Sequence, residues 1–139
     1  MNSPDQPMTD PPYLAIKAAM MPRDTNPMGT IFGGVILSYI DQAGAIGARY
    51  AIRKNGWPAR GLVTVAMDKV EFHEPVFVGD VVSFETRPLR WGRTSVTMHV
   101  NVLAERDGNP VQLTEAQVTY VAVEVPGDRR PIPIRPDPC

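Results

Sequence analysis

Two consecutive glycines, Gly33 and Gly34, stand shortly before a lone carboxylate, Asp41, in a stretch of otherwise small and apolar residues. Glycine leaves its backbone N–H open to close approach, and such groups at a helix start can hold a carbonyl oxygen or an oxyanion. An aspartate among apolar neighbours is costly to bury unless it is paired or used. The pattern suits attack on a carbonyl carbon, although a tight turn and a solvated aspartate explain the same residues at least as well.

Motifs of several other chemistries are missing from the sequence. It lacks the Gly-x-Ser-x-Gly elbow of serine hydrolases, the His-Glu-x-x-His of zinc peptidases, a phosphate loop and a dinucleotide fingerprint. The one cysteine, Cys139, is the last residue, so neither a disulfide nor a cysteine zinc site is expected within one chain. His73 and His99, the only histidines, each stand alone in a strand-like stretch, and we interpret both as surface or strand-packing side chains. No metal site is predicted.

A long helix is predicted to carry the aspartate, with the glycines at its start. Apolar residues recur at helical spacing from Val35 to Ala51, through about five turns, and Asn55 and Gly56 follow as a stop. The aspartate then lies roughly two turns beyond the glycines, on the same helix.

The opposite face of this helix is unusually poor in charge for a surface helix. Its residues are Ser38, Asp41, Ala45 and Ala48. A helix with so few exposed charges is expected to be enclosed nearly all round. Gly44 and Gly47 each cost helix stability by about 1 kcal/mol relative to alanine, and close packing against another backbone would offset that cost.

The rest of the chain predicts one antiparallel sheet. Tyr13 to Met20 fits an opening strand, the segment 24–34 reads as a loop, and a period of two marks later strands at 62–68, 80–88, 94–105 and 111–125. Turn formers between these strands predict successive antiparallel connections, and Pro88 indicates an edge or a bulge. This order predicts an α+β fold in which one sheet covers one helix, and the open sheet edges favour dimerisation.

Composition sets the remaining expectations. The chain of 139 residues has a formal net charge of -1 and no run of like charge, which argues against nucleic-acid and membrane partners. No signal peptide and no sufficiently apolar span is visible, so a cytoplasmic location is expected. Prolines cluster near both ends, and we therefore expect one domain at 13–125 with extended or disordered tails at 1–12 and 126–139.

A known family resembles this sequence over roughly residues 13–125. The run DTNPMGTIFGGVILSYIDQAGAI is similar to the signature of hotdog-fold acyl-CoA hydrolases, in particular the YciA-type bacterial thioesterases and the cytosolic acyl-CoA hydrolases of animals. VTVAMDKVEFHEPVFVGDVV resembles the strands that follow, and RWGRTS resembles the family's Gly-Arg-Ser-like turn. The resemblance implies a curved antiparallel sheet wrapped around a long central helix. It also implies homodimers paired edge to edge, commonly assembled as a hexamer (a trimer of dimers), with active sites at the dimer interface.

The resemblance also implies site residues. Asp41 corresponds to the catalytic aspartate, and Asn26 to an asparagine that faces it across the interface. The N–H groups of Gly33 and Gly34 would polarise the thioester carbonyl, and Thr64 matches a serine or threonine position near the attacking water. The expected contacts to the CoA phosphates are Arg93, Gly92 and Ser95 in the turn, with Arg90 and Arg60 behind them.

One position departs from several hotdog branches, because Phe32 stands where those branches carry a histidine before the two glycines. The YciA-type branch tolerates this change. The imidazole hydrogen bond that helps to position substrate in the histidine-bearing branches is therefore not expected here.

The reaction implied is hydrolysis of an acyl-CoA thioester to a free carboxylic acid and CoA, without a metal or other cofactor. Asp41 would act as general base towards water or as a nucleophile. A hydratase or dehydratase is one alternative, disfavoured because neither His73 nor His99 is near the helix or its preceding loop in the sequence. An acyl-CoA-sensing module is the other, disfavoured because no DNA-binding segment precedes the domain.

Overall fold

The computed structural model describes residues 11–124 and 130–135 and confirms the predicted order of elements. The elements are β1 (Tyr13–Ala19), a single 3-10 turn (Pro22–Asp24), α1 (Gly33–Lys54), β2 (Gly61–Phe72), β3 (Val81–Trp91), β4 (Ser95–Arg106) and β5 (Asn109–Val123). The helix begins two residues before the predicted Val35, at the glycines themselves. β2 and β3 run three or four residues further at their C-terminal ends than predicted, because pairing with their neighbours continues there, whereas the ends of the other strands differ from the prediction by two residues or fewer.

The five strands form one antiparallel sheet in the order β1-β3-β4-β5-β2. The prediction of successive antiparallel connections holds for β3, β4 and β5, but it is wrong for β2, which pairs with β5 at the far edge instead of with β3. The segment between β2 and β3 is therefore a connection between non-neighbouring strands and not a hairpin turn. It braces the loop before the helix, where Ile31 donates a hydrogen bond to the carbonyl of Val76 at 2.8 Å.

The proline predicted to mark an edge or a bulge does mark a bulge. The register between β3 and β4 shifts between Pro88 and Arg90. A proline cannot donate to the ladder, so an irregular position is where a strand tolerates it.

The core lies between one face of α1 and the sheet. Ile36, Ile40 and Ala43 of the helix are almost completely buried, as are Phe84 and Val118 of the sheet. The expectation that the helix is enclosed nearly all round is wrong for a single chain, because a row of its residues is exposed. That row contains Ser38, Gln42, Ile46 and Arg49. No helix among the described residues is long and apolar enough to cross a membrane.

The two glycines inside the helix are packed closely, as expected, but against side chains instead of another backbone. A Cβ on Gly47 would stand 2.1 Å from the hydroxyl oxygen of Thr86, and one on Gly44 would stand 2.2 Å from that of Tyr120. Because no real Cβ tolerates such distances, both positions let the sheet approach the helix axis.

Residues 130–135, which the sequence assigns to the C-terminal tail, lie against the sheet. Ile134 is fully buried, and its N–H donates to the carbonyl of Arg93 at 2.9 Å. The N–H of Ile132 donates to the carbonyl of Ala122 at the same distance. The parts of the predicted tails at 1–10, 126–129 and 136–139, together with the last residue of the predicted domain, lie outside the described residues.

Candidate active site

Asp41 projects from α1 to the edge strand β2, where it meets Thr64. The Thr64 hydroxyl donates to Asp41 Oδ1 at 2.6 Å, a short bond of the kind that ionised acceptors make. The register between β2 and β5 shifts between Thr64 and Ala66, and such bulges often aim a side chain at an active site. The structure therefore brings together two of the residues predicted from the sequence.

A third residue, Tyr120 of β5, joins this pair and was not predicted. Its hydroxyl donates to the main-chain carbonyl of Asp41 at 2.6 Å. The pKa of Tyr120 is raised above its usual value, first by burial and then by the negative charge of Asp41. In the sequence Tyr120 is only one inward position of an alternating strand, and nothing in that pattern connects it to a helix so far away in the chain.

The helix start presents open backbone donors. Phe32 caps the helix without a side-chain hydrogen bond, and the first turn contains no acidic residue. Among the described residues, the N–H groups of Gly33 and Gly34 have no acceptor. A Cβ on Gly34 would meet nothing within 4 Å, and one on Gly33 would touch the Phe72 ring at 3.4 Å. This end of the helix can accept a carbonyl oxygen, since a helix N-terminus favours negative charge.

Asn26 organises the loop before the helix. Its side-chain oxygen accepts from the backbone N–H groups of Met28 and Thr30 at 2.9 and 3.1 Å, and its amide nitrogen donates to the Thr30 hydroxyl at 2.8 Å. All three bonds stay within the loop. A role towards the aspartate of a second chain therefore has to use the remaining amide hydrogen.

The candidate CoA-binding residues fall into two places. Gly92 and Ser95 close the β3–β4 turn through a 2.8 Å backbone bond, with Arg93 exposed between them, and Arg90 is exposed on β3. Arg60 is engaged differently, because its Nε donates to the carbonyl of Pro133 at 3.1 Å. The segment 132–135 thus lies between Arg60 and the turn.

A cavity of about 240 Å³ opens beside the helix start. Its lining residues are Thr30, Ile31, Gly33, Ile36, Phe72, His73, Glu74, Pro75 and Val76. His73 therefore does lie near the helix and its preceding loop, contrary to the sequence-based argument against a hydratase. Separation in the sequence was misleading because β2 lies at the sheet edge beside β5, where the end of β2 at Phe72 is close to Gly33 at the helix start.

Both histidines bind one carboxylate. His73 and His99 reach opposite oxygens of Glu115, at 2.9 and 3.2 Å, and these bonds lower the pKa of Glu115 below its usual value. Donor atoms of Glu71, His73 and Glu115 also lie within 4.8 Å of one another, so this cluster is where a divalent ion could bind among the described residues. The hydrogen bonds of His73 and His99 to Glu115, with Glu71 3.6 Å from His73, account for the arrangement without an ion.

Known proteins resemble this chain over most of its length. A family profile described as the Thioesterase superfamily matches residues 28–111. The acyl-CoA thioester hydrolase YciA of Salmonella typhimurium is 36% identical over 127 residues, covering 88% of this chain and 91% of that protein.

Solved structures resemble the fold as well. The hexameric hotdog fold thioesterase of Campylobacter jejuni has a TM-score of 0.74 and 44% sequence identity, covering 86% of this chain and 89% of its own. The hexameric thioesterase of Yersinia pestis has a TM-score of 0.75 and 37% identity, covering 88% and 96%. The profile spans more than half of the chain and the relatives nearly all of it, so this chain belongs to the thioesterase superfamily and has the hotdog fold.

Proposed function

We propose that this chain hydrolyses acyl-CoA thioesters, releasing a carboxylic acid and CoA, with Asp41 as the catalytic carboxylate. The observation that carries the proposal is the Thr64 hydroxyl bound to Asp41 Oδ1 at 2.6 Å. That contact fixes one carboxylate oxygen and leaves Oδ2 for water or substrate. The acyl-CoA thioester hydrolase names of the relatives supply the substrate class.

In the proposed reaction Asp41 takes a proton from water as the water oxygen attacks the thioester carbonyl carbon. The carbonyl oxygen becomes negative and is stabilised by the N–H groups of Gly33 and Gly34, a type of contact whose loss typically lowers kcat by about 10²–10³. The carbon–sulfur bond then breaks, and the CoA thiolate takes from Asp41 the proton that came from water. The chemistry needs no metal or other cofactor. Direct attack by Asp41, through an anhydride, is the other route open to the same residues.

The spacing along α1 supports a site shared between two protomers. Gly34 and Asp41 are seven positions apart, about 10 Å at the rise of an α-helix, whereas groups that act on one carbonyl lie about 3 Å from its atoms. A single helix is therefore poorly suited to supply both the N–H donors and the carboxylate for the same carbonyl group, so we propose that two helices do. In the proposed dimer, Asn26 and the glycines of one protomer face Asp41 of its partner.

Edge strand β2 is the surface proposed for that dimer. Among the strands that the structure describes, it pairs only with β5, and its residues Val65 and Phe72 are 56% and 54% exposed. A long apolar edge is prone to pair with another chain. Hexamers in the related structures support a trimer of such dimers.

The phosphates of CoA are proposed to meet Arg93 and Arg90, near the turn formed by Gly92 and Ser95. Both arginines are exposed, and guanidinium groups bind phosphate through paired hydrogen bonds. Arg60 is proposed to act through the segment it holds, since its guanidinium is bonded to Pro133. We place the reaction in the cytoplasm.

A hydratase is the second candidate, because His73 lines the cavity at the helix start. A hydratase would pair an aspartate with a histidine, whereas Asp41 is bonded to Thr64 and His73 to Glu115. These partners favour hydrolysis of the thioester over reaction on the acyl chain.

The test is a thiol-release assay over acyl-CoA substrates of several chain lengths, with wild type and Asp41→Asn. Asparagine preserves the volume and the Thr64 bond but cannot take a proton, so kcat is expected to fall by at least about 10². Lys17→Ala, on the opposite edge strand, is the control. Undiminished hydrolysis in Asp41→Asn would remove the mechanism, and binding of acyl-CoA by wild type without any thiol release would make the chain a sensor.

A further inference from the structure

The buried tyrosine beneath Asp41 occupies space that only a glycine leaves. Tyr120 is 1% exposed, and its hydroxyl reaches the Asp41 carbonyl at 2.6 Å across the helix–sheet interface. A Cβ on Gly44 would stand 2.2 Å from the Tyr120 hydroxyl and 3.0 Å from the ring carbon that carries it. The helix therefore has a notch at the turn that follows Asp41, and the tyrosine fills it.

The Tyr120 hydroxyl lies beside one of the backbone hydrogen bonds of the helix. The Asp41 carbonyl and the Ala45 N–H are four positions apart, the spacing of an α-helical hydrogen bond. Tyr120 donates to the first, and the backbone N–H of Ala45 lowers the pKa of Tyr120 against the larger raising effects of burial and of Asp41. The helical hydrogen bond alone would satisfy both backbone groups. The hydroxyl is therefore not needed to supply either group with a hydrogen-bond partner.

The neighbouring strands β2 and β5 bind both the side chain and the main chain of Asp41. Thr64 and Tyr120 are directly opposite each other in the pairing of β2 with β5. One binds the Asp41 carboxylate and the other its main-chain carbonyl, each at 2.6 Å. Because the two anchors are cross-strand neighbours, a movement of the helix relative to the sheet would have to break both bonds.

We propose that Tyr120 is a positioning residue for Asp41. Its hydroxyl, seated in the notch at Gly44, holds the turn that carries Asp41 at a set height above the sheet, so that the carboxylate meets Thr64 and the attacking water. The inference rests on the proposed thioesterase function, and it adds a residue that touches no substrate and acts through Asp41.

Tyr120→Phe tests the inference because it removes the hydroxyl and keeps the ring. The expected result is a fall in kcat on the order of tenfold with KM changed less than about twofold, since a displaced catalytic group loses transition-state contact without losing substrate contact. Steady-state thiol release by the full-length protein supplies both constants. Thr114→Val is the matched control, because it removes another buried hydroxyl from the same face of β5, one without a hydrogen-bond partner among the described residues.

Gly44→Ala tests the notch from the other side. The added methyl group displaces the hydroxyl, so kcat is expected to fall at least as far as in Tyr120→Phe. In the double variant the hydroxyl clash is gone, and the combined loss is expected to be clearly smaller than the product of the two single losses. Thermal unfolding of each variant shows whether it is folded at the assay temperature.

Two results would overturn the inference: wild-type kcat in Tyr120→Phe, or losses in kcat that multiply in the double variant. Wild-type kcat in Tyr120→Phe overturns it even beside a lowered melting temperature, since the hydroxyl would then be purely structural. If Asp41→Asn itself keeps full turnover, the proposed function fails first. An inactive Asp41→Asn beside a fully active Tyr120→Phe would remove the positioning role alone.

Discussion

Gly34 stands at the helix start, and beyond its own neighbours and helix backbone none of the described residues comes within 4 Å of the place where a Cβ would be. Gly33 has only an ordinary contact there, with Phe72 at 3.4 Å. Neither glycine is required by a left-handed backbone, since the glycines with positive φ are Gly29, Gly56, Gly79 and Gly108. Among the described residues, the packing does not explain why these positions lack side chains, whereas the proposed approach of a thioester carbonyl would explain it.

Gly34→Ala is expected to separate folding from catalysis. Alanine suits a helix better than glycine, by up to about 1 kcal/mol, so the free energy of unfolding should be unchanged or higher. Its methyl group would occupy the approach to the N–H donors, and kcat/KM is expected to fall at least about tenfold. Urea unfolding and thiol release measure the two quantities, with Arg53→Ala in the last turn as control. Wild-type kcat/KM in Gly34→Ala would argue that the carbonyl binds elsewhere.

Strand β5 serves two roles on its two faces. Tyr120 points inward to the helix, while Glu115 points away from it and binds His73 after β2 and His99 on β4. The outer cluster thus ties together three strands at the end of the sheet near the helix start. Its hydrogen bonds hold the pKa of Glu115 below 4.5, against the opposing effect of partial burial.

The stability of the sheet is expected to depend on the ionisation of Glu115. A carboxyl whose pKa is lower in the folded chain adds stability above its unfolded value of 4.5, and that stability is lost as the pH falls through the folded value. Glu115→Gln should therefore be less stable than wild type at about pH 7, and the difference should shrink below about pH 4.5. Urea unfolding over this range measures it, with Glu105→Gln, an exposed change on β4, as control. A difference that stays constant with pH would contradict the assignment.

At the scale of the molecule, a single protomer contains only part of each proposed active site. The helix face at Ser38 and Gln42 is exposed, and so are the apolar side chains Phe32, Val65 and Phe72. A second chain along β2 would cover these residues and bring its own loop and helix start close to Asp41. The apolar exposure and the long separation of the two catalytic halves thus have the same explanation.

Mixing two inactive variants tests the shared site. Asn26→Asp keeps the oxygen that accepts from Met28 and Thr30 but removes the amide donor, and Asp41→Asn removes the base. Co-expressed chains are expected to recover about a quarter of wild-type turnover, since half of the dimers are mixed and each mixed dimer holds one intact site of two. Each variant expressed alone is the control. Mixed dimers without recovered turnover would contradict the shared site. So would a fully active protein that light scattering shows to be monomeric.

Local patterns in the sequence determined the elements of this protein. The helical spacing from Val35 to Ala51 and the alternation of the later strands predicted α1 and the sheet, because a period of 3.6 or 2 depends only on neighbours in the chain. The residue pattern after Gly33 and Gly34 already made Asp41 a candidate, the family resemblance supported it and added Thr64, and the structure places the two in contact. Asn26 and the arginines remain predictions.

Tertiary structure decided which elements meet, and with them the supports of the site. Thr64 reaches Asp41 across 23 positions, His73 reaches Glu115 across 42, and Tyr120 reaches Asp41 across 79. No local period encodes such contacts, because they depend on β2 pairing with β5 at the far edge of the sheet. That pairing brings Thr64 opposite Tyr120 and the end of β2 to the helix start, so the topology of the sheet decided the environment of Asp41.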